Sequence, residues 1–131
     1  MITVVAALIK KDNKVLLAKR STGDSSVLDK WEFPGGKVEE NENELEAIER
    51  EIKEEFEVII EAKDFIINNI CEYPTKSVDL RLYICNYISG EFKLRDHSEY
   101  EWVDKNKILE YDLALADIPL AKFVKEEMLD E

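Results

Sequence analysis

Residues 36–58 read GKVEENENELEAIEREIKEEFEV, from Gly36 to Val58, and this stretch decides the fold. Asn43 suits a helix N-cap, and Glu46 at the third helical position completes a capping box. The pattern predicts a helix from Asn43 to about Phe56. Each helical residue turns by about 100°, so with Glu51 at zero, Glu54 falls at about −60° and Glu55 at about +40°. The three carboxylates share one face. Leu45, Ile48, Ile52 and Phe56 fill the adjoining sector, from about +60° to about +140°, which must face a core. Glu46, Glu49 and Lys53 fall on the far side, in solvent.

Three carboxylates within about one turn, beside a buried seam, repel one another, and their pKa values rise unless a cation pairs with them. Oxygen-only ligands suit Mg²⁺ or Mn²⁺, and Mg²⁺ also binds phosphate oxygens. Arg50 reaches Glu54 at i+4 and Glu46 at i−4, and so can hold the cluster in place. A solvated acidic face is the competing reading. Ten of the nineteen residues from Glu39 to Glu57 are Glu, so carboxylates at i, i+3 and i+4 are nearly unavoidable here.

The flanks carry more information than the glutamates. Glu32-Phe33-Pro34-Gly35-Gly36 precedes the helix, and Arg50-Glu51-Ile52-Lys53-Glu54-Glu55 ends it. This resembles the Nudix box, G-x5-E-x7-R-E-U-x-E-E-x-G-U, with U a bulky aliphatic residue. Gly36, Glu42, Arg50, Glu51, Ile52, Glu54, Glu55 and Val58 stand at their places. Glu57 stands where the family usually has Gly, the common left-handed helix terminator. The resemblance covers the whole chain and is nearest the MutT-like branch: Ala18-Lys19-Arg20-Ser21, Glu72-Tyr73-Pro74, Glu101-Trp102 and Ala116-Asp117-Ile118-Pro119 follow in order.

The resemblance implies an α/β fold, an α/β/α sandwich with a mixed central sheet. It implies a hydrolase that cleaves nucleoside diphosphate linkages with water and Mg²⁺, for which Mn²⁺ can substitute. Glu51, Glu54 and Glu55 match the family's metal ligands, and the Gly35 carbonyl a further one. Arg50 matches the residue that orients the carboxylates. Glu101 matches a carboxylate that approaches the metal or the water; alternatively it is a solvent-facing strand residue beside Trp102. Arg20 matches a position near sugar and phosphates, where a guanidinium fork suits oxygens. Phe33 matches a base-facing aromatic or is a core residue. Lys76 and Leu80 fall where the family lines its base pocket. His97, in the polar run Arg95–Ser98, reads as a surface residue with no role.

The rest of the chain agrees. Its 131 residues suit a single domain, 1–131, with 45% hydrophobic and 37% charged residues. A net charge of −12 excludes a protein that tracks nucleic acid, but not one that binds a small phosphorylated ligand through a cation. Cys71 and Cys85 lack CxxC spacing and read as reduced thiols. Ile2–Ile9 is too short for a membrane span and has no basic lead, so a cytoplasmic location is expected. Ile2–Ile9 and Val15–Ala18 read as a hairpin around Lys11–Lys14, and Ser21–Lys30 as a loop. Val58–Ile60, Phe65–Tyr73, Val78–Tyr87, Glu91–Leu94 and Tyr100–Val103 read as strands, and Asp104–Glu110 as a short helix. Pro119 suits the first turn of a last helix with Leu120, Phe123, Val124 and Met128 on its apolar stripe.

The expected activity is a nucleoside triphosphate pyrophosphohydrolase, monomeric or homodimeric. The alternatives are a non-catalytic nucleotide-binding module, which commonly loses box carboxylates, and a hydrolase of ADP-ribose or a related derivative. Asp117 bears on the base. An ionised Asp only accepts hydrogen bonds and suits the amino group of cytosine, whereas the branch that acts on oxidised guanine has Asn there. This favours CTP or dCTP over oxidised dGTP. A protonated Asp117 would relax that preference, and a helix-capping Asp117 would have no part in it.

Overall fold

The computed structural model describes residues 1–128. The apolar run at the start forms β1 (Ile2–Lys11), buried continuously from Val5 to Ile9. An unbroken buried run suits a strand covered on both faces. Asp12 and Asn13 take φ of 51° and 65°, the left-handed pair of a tight hairpin turn. The chain returns as β2 (Lys14–Arg20), which pairs with β1 only at Lys10–Val15 and Lys11–Lys14. Beyond that the two strands splay apart.

The segment Trp31–Lys37 fills the gap. Its first part, β3 (Trp31–Glu32), pairs with β2 at Ala18 and Lys19; its second, β4 (Gly35–Lys37), pairs with β1 from Val4 to Ala6. Between them the Pro34 carbonyl accepts from the Ala7 N–H at 2.8 Å. A side chain on Gly35 would collide with the Val5 carbonyl and Ala6 of β1, so only Gly allows this close approach.

Next come α1 (Glu44–Phe56), β5 (Ile59–Tyr73), β6 (Lys76–Ser89), β7 (His97–Asp104), a 3-10 turn at Lys105–Glu110, a second at Leu115–Asp117, and α2 (Ile118–Glu127). β6 lies parallel to β1 from Ile2 to Lys10, β5 is antiparallel to β6, and β7 is antiparallel to β2. One face of this mixed sheet packs Val5, Ala7, Ile9, Leu16 and Cys85 against Ile48, Ile52 and Phe56 of α1. The other packs Ala6, Leu8, Leu17 and Leu82 against Ile108, Leu120 and Val124. This is the expected α/β/α sandwich.

The local expectations for α1 hold. Asn43 accepts from the Glu46 N–H at 2.8 Å, and Glu46 accepts from the Asn43 N–H at 3.1 Å, closing the capping box. Glu57 ends the helix in the left-handed region at φ 56° despite its side chain. Leu45, expected in the core sector, is exposed, because the sheet contacts α1 through Ala47, Ile48, Ile52 and Phe56. Glu49 is not idle in solvent: it accepts from the Ala62 N–H at 2.9 Å on the edge strand β5, and so guards part of that edge.

Three strand expectations need correction. Val58–Ile60 and Phe65–Tyr73 belong to one strand, β5, with irregular register between Ala62 and Ile67. Glu91–Leu94 forms no strand; the Lys93 N–H donates to the Phe56 carbonyl at 2.9 Å instead, and Phe92 packs on the α1 side. β7 starts at His97 rather than Tyr100. Both cysteines are free, and burial pushes the Cys85 thiol up to about 12. No helix among the described residues is long and apolar enough to cross a membrane.

Candidate active site

Arg50 is the hub of the acidic face. Its Nε and Nη2 donate to the two oxygens of Glu42 at 2.6 and 3.0 Å. Its Nη1 donates to Glu51 at 3.0 Å and to Glu54 at 3.2 Å, and Nη2 also reaches the Lys37 carbonyl at 3.1 Å. The contact with Glu54 is as expected. Glu46 is committed to the capping box, and Glu42 and Glu51 take the place expected for it. Bonding to Arg50 holds the Glu42 carboxyl below its ordinary value, and bonding to Glu42 first, then Glu51, pushes the guanidinium of Arg50 up. Arg50 thus ties the loop before α1 to the helix and aligns two of its carboxylates.

Burial pushes Glu51 up, against the opposing pull of Arg50. A side chain on Gly36 would run into the Glu51 carboxylate, so Gly36 leaves room for it. Glu55 is raised further, to about 8, by burial first and then by the charges of Glu51, Glu32 and Asp96. Its Oε2 is buried with no hydrogen-bond partner. Among the described residues no three acidic, His or Cys side chains converge closely enough to enclose an ion, because Glu51 and Glu54 lean on Arg50. The donor set still fits a hard divalent cation: carboxylate oxygens only, one of them bare, beside a glycine whose missing side chain leaves space.

Glu101 does not join this cluster. It alternates along β7 with Trp102, which packs on the α1 side, and its carboxylate accepts from the Tyr111 hydroxyl on the opposite side. Of the two readings of Glu101, this placement matches the strand residue beside Trp102, because strand alternation puts it on the face away from the carboxylates of α1. The carboxylates that do surround Glu55 from outside α1 are Glu32 and Asp96.

The reading of His97 is corrected. Its side chain is fully buried, its ring stacks on Phe56, and its Nε2 lies 2.9 Å from Glu32 Oε2. Glu32 sits on β3 and also lies 3.5 Å from Arg20 Nη1. The reading missed Glu32, Asp96 and His97 as site neighbours.

Across the sheet, on the α2 side, lies a small cavity of about 170 Å³, lined in part by Glu32, Tyr73, Leu80, Ala116 and Asp117. Asp117 is buried and does not cap α2; its Oδ2 accepts from the Phe33 N–H at 2.9 Å, and Asn69 Nδ2 donates to the neighbouring Ala116 carbonyl at 3.0 Å. Burial, then the charge of Glu32, pushes Asp117 well above the carboxylate range. Leu80 forms part of the wall as expected. Phe33 is only 3% exposed and packs in the core, so its ring is no stacking platform; its contribution is the backbone N–H that holds Asp117. Arg20 and Lys76 line an adjoining open basin with Tyr73 and Val78.

Known proteins resemble this chain in sequence and fold. The NUDIX domain family model matches residues 1–125. The CTP pyrophosphohydrolase of Escherichia coli (strain K12) is 36% identical over 121 residues, covering 92% of this chain and 88% of that protein. The 8-oxo-dGTP diphosphatase of Buchnera aphidicola subsp. Schizaphis graminum is 33% identical over 100 residues, covering 76% of this chain and 75% of that protein. The crystal structure of the MutT protein from Methanosarcina mazei Go1 superposes with a TM-score of 0.84 at 30% identity, covering 96% of this chain and 94% of that one. Nudix hydrolases generally use divalent metal ions. With the box helix, its Arg50 hub and a family match over nearly the full length, the chain belongs to the NUDIX domain family and is a Nudix hydrolase.

Proposed function

We propose that the chain, as one domain over 1–131, is a Mg²⁺-dependent nucleoside triphosphate pyrophosphohydrolase that releases a nucleoside monophosphate and pyrophosphate. Its preferred bases are those of CTP and dCTP, ahead of oxidised dGTP. The observation that carries this reading is the pairing of two half-sites through β3: an oxygen-only carboxylate cluster on α1, and a small, partly open cavity with a buried acid on the α2 side. A net charge of −12 favours a free nucleotide over a polymer.

Glu51, Glu54, Glu55 and the Gly35 carbonyl would hold the metal. When bound, the divalent ion neutralises polyphosphate charge and lowers the pKa of a water for attack. Arg50 keeps Glu51 and Glu54 in orientation. Arg20 and Lys76 meet the phosphates and sugar from the open basin. Leu80 packs on the base, and Asp117 reads its edge.

Asp117 reads it differently from an ionised acceptor. Held protonated by burial, it offers one O–H donor and one carbonyl acceptor. Cytosine presents an amino donor beside a ring-nitrogen acceptor, which such a carboxyl meets at both positions. An oxidised guanine also presents a donor beside an acceptor, so charge alone does not discriminate. The cavity, about 170 Å³ and partly open, admits either base. The likeness to a protein named CTP pyrophosphohydrolase is what favours cytosine.

The test compares Mg²⁺-dependent pyrophosphate release from CTP, dCTP and 8-oxo-dGTP in the wild type and in Asp117→Ala. The expected wild-type preference for cytosine is about tenfold or more in kcat/KM, and it should collapse in the variant. A wild type that prefers 8-oxo-dGTP, or a variant with the same ranking, overturns the base reading. No release from any of the three would favour a binding module over an enzyme.

A further inference from the structure

Two buried side-chain atoms among the described residues lack a hydrogen-bond partner, and they face each other: Glu55 Oε2 and His97 Nδ1, 4.0 Å apart. The other ring nitrogen of His97, Nε2, is 2.9 Å from Glu32 Oε2. A carboxylate oxygen accepts and does not donate, so Nε2 carries the hydrogen and Nδ1 keeps its lone pair. The ring is fully buried and stacked on Phe56 of α1 at 5.0 Å between centroids, which holds its plane.

The two carboxylates on either side of this imidazole belong to different halves of the site. Glu32 lines the small cavity with Asp117 and contacts Arg20. Glu55 stands with Glu51 and Glu54 on α1. Were Glu32 absent, the hydrogen of His97 would find its best acceptor on the other side. It would move to Nδ1 and bond Glu55 Oε2, the oxygen that is now bare. Glu55 would then be tied back into the core and withdrawn from a cation.

We propose that His97 is a positioning residue that couples the nucleotide cavity to the metal carboxylates: the Nε2–H bond to Glu32 locks the tautomer whose bare Nδ1 leaves Glu55 free for the metal. This rests on the proposed metal site. Neighbours that fix the orientation and tautomer of groups around a metal typically alter its affinity by about ten- to a hundredfold when removed.

The experiment uses the full chain without nucleotide and has two arms. Nitrogen-15 NMR of the metal-free protein reads the His97 tautomer directly. Above pH 8, where the Glu55 carboxyl is ionised, the wild type should carry hydrogen on Nε2, and Glu32→Ala should move it to Nδ1. Mn²⁺ titration, read by electron paramagnetic resonance, supplies the second arm. Glu32→Ala should weaken Mn²⁺ binding about tenfold. In a His97→Phe background, which keeps a flat ring on Phe56, the same change should act only through lost charge. The drop should be at least about fivefold smaller there. His97→Asn carries the cycle if His97→Phe melts below the assay temperature. A wild type with hydrogen on Nδ1, or a Glu32→Ala effect of equal size with and without His97, overturns the proposal. A wild type that takes up no Mn²⁺ overturns the metal site itself, and the tautomer arm then decides on His97 alone.

Discussion

Glu55, half-buried with one oxygen fully covered, and Asp117, buried outright, lie on opposite sides of one sheet, and burial drives both towards the protonated form. Their surroundings differ. Asp117 is anchored by the Phe33 N–H, and Asn69 braces the adjoining carbonyl. Glu55 has an oxygen with no partner at all. A buried oxygen left bare destabilises by about 1–3 kcal/mol, so it persists where something else is to occupy it. The pair separates two kinds of covered acid, one with its oxygen satisfied and one with an oxygen left bare, and the proposed roles in base reading and cation binding rest on that difference.

The sharpest way to break this comparison is turnover. Glu54→Gln or Glu55→Gln should lower kcat by about a hundredfold or more, since charge stabilisation at phosphoryl centres supplies several kcal/mol. Both variants should fold, because removing one of several crowded like charges relieves repulsion. Near-wild-type turnover in both at saturating Mg²⁺ would remove Glu54 and Glu55 from the metal site.

Stability against pH comes next. The carboxyl of Glu55 titrates at an ordinary value of 4.5 when unfolded and at about 8 when folded and metal-free. The folded state therefore binds the extra proton between these values, and stability is full below 4.5 and lost as pH rises towards 8. Glu55→Gln escapes that loss. Its melting temperature should exceed that of the wild type by several degrees at pH 8, with the gap closing towards pH 4.5. Saturating Mg²⁺ or Mn²⁺ should reverse the order, because only the wild type binds the ion through this oxygen. A melting temperature indifferent to both ions would count against the site.

Asp117 sharpens the contrast. Its folded value is also raised, from an ordinary 3.8, so Asp117→Asn should stabilise at neutral and alkaline pH, with the gain vanishing as pH falls towards 3.8. Here divalent ions should leave the gain unchanged. A gain that disappears on adding Mg²⁺ would mean that the two acids share one ligand. The smallest effect is at Glu57, an L-residue in the left-handed region at φ 56° that pairs with Arg95. Glu57→Gly should stabilise by about 0.5–1 kcal/mol in urea titration, since exposed ion pairs contribute little and the strain is relieved. A loss of stability would show that the Arg95 contact outweighs the backbone term.

What could be read in the sequence was what is local. The capping box of Asn43 and Glu46, the apolar seam of Ile48, Ile52 and Phe56, and the shared face of Glu51, Glu54 and Glu55 all lie within four residues of a partner. Helix geometry links them without knowledge of the fold. Glu32 and His97 are 65 residues apart, and nothing near either announces the other. His97 looked exposed because Arg95, Asp96 and Ser98 are polar; its burial comes from Phe56, on another element. Strand alternation separates the two readings of Glu101. Trp102 faces the α1 core, so its neighbour must face away. Asp117 stands out in the sequence only by its motif position; the burial and the Glu32 charge that favour its protonated form, and the Phe33 N–H that opposes it, come only with the folded chain.

The parallel pairing of β1 with β6 has a consequence for synthesis. Ile2 sits beside Val78, and Lys10 beside Asn86. A ribosome must therefore make most of the chain before the first strand meets this neighbour. Until then Val5–Ile9, wholly apolar, has the short β2 hairpin contact, the Trp31–Lys37 segment and α1 on one face, but neither β6 beside it nor the α2 cover of its other face. Such long-range closure is slow, and a nascent chain stalled before residue 78 would present a sticky strand to its neighbours. The helix with the carboxylates can form early from local contacts alone. The small cavity on the α2 side is completed only when Asp117 arrives, well after the carboxylate helix has been made.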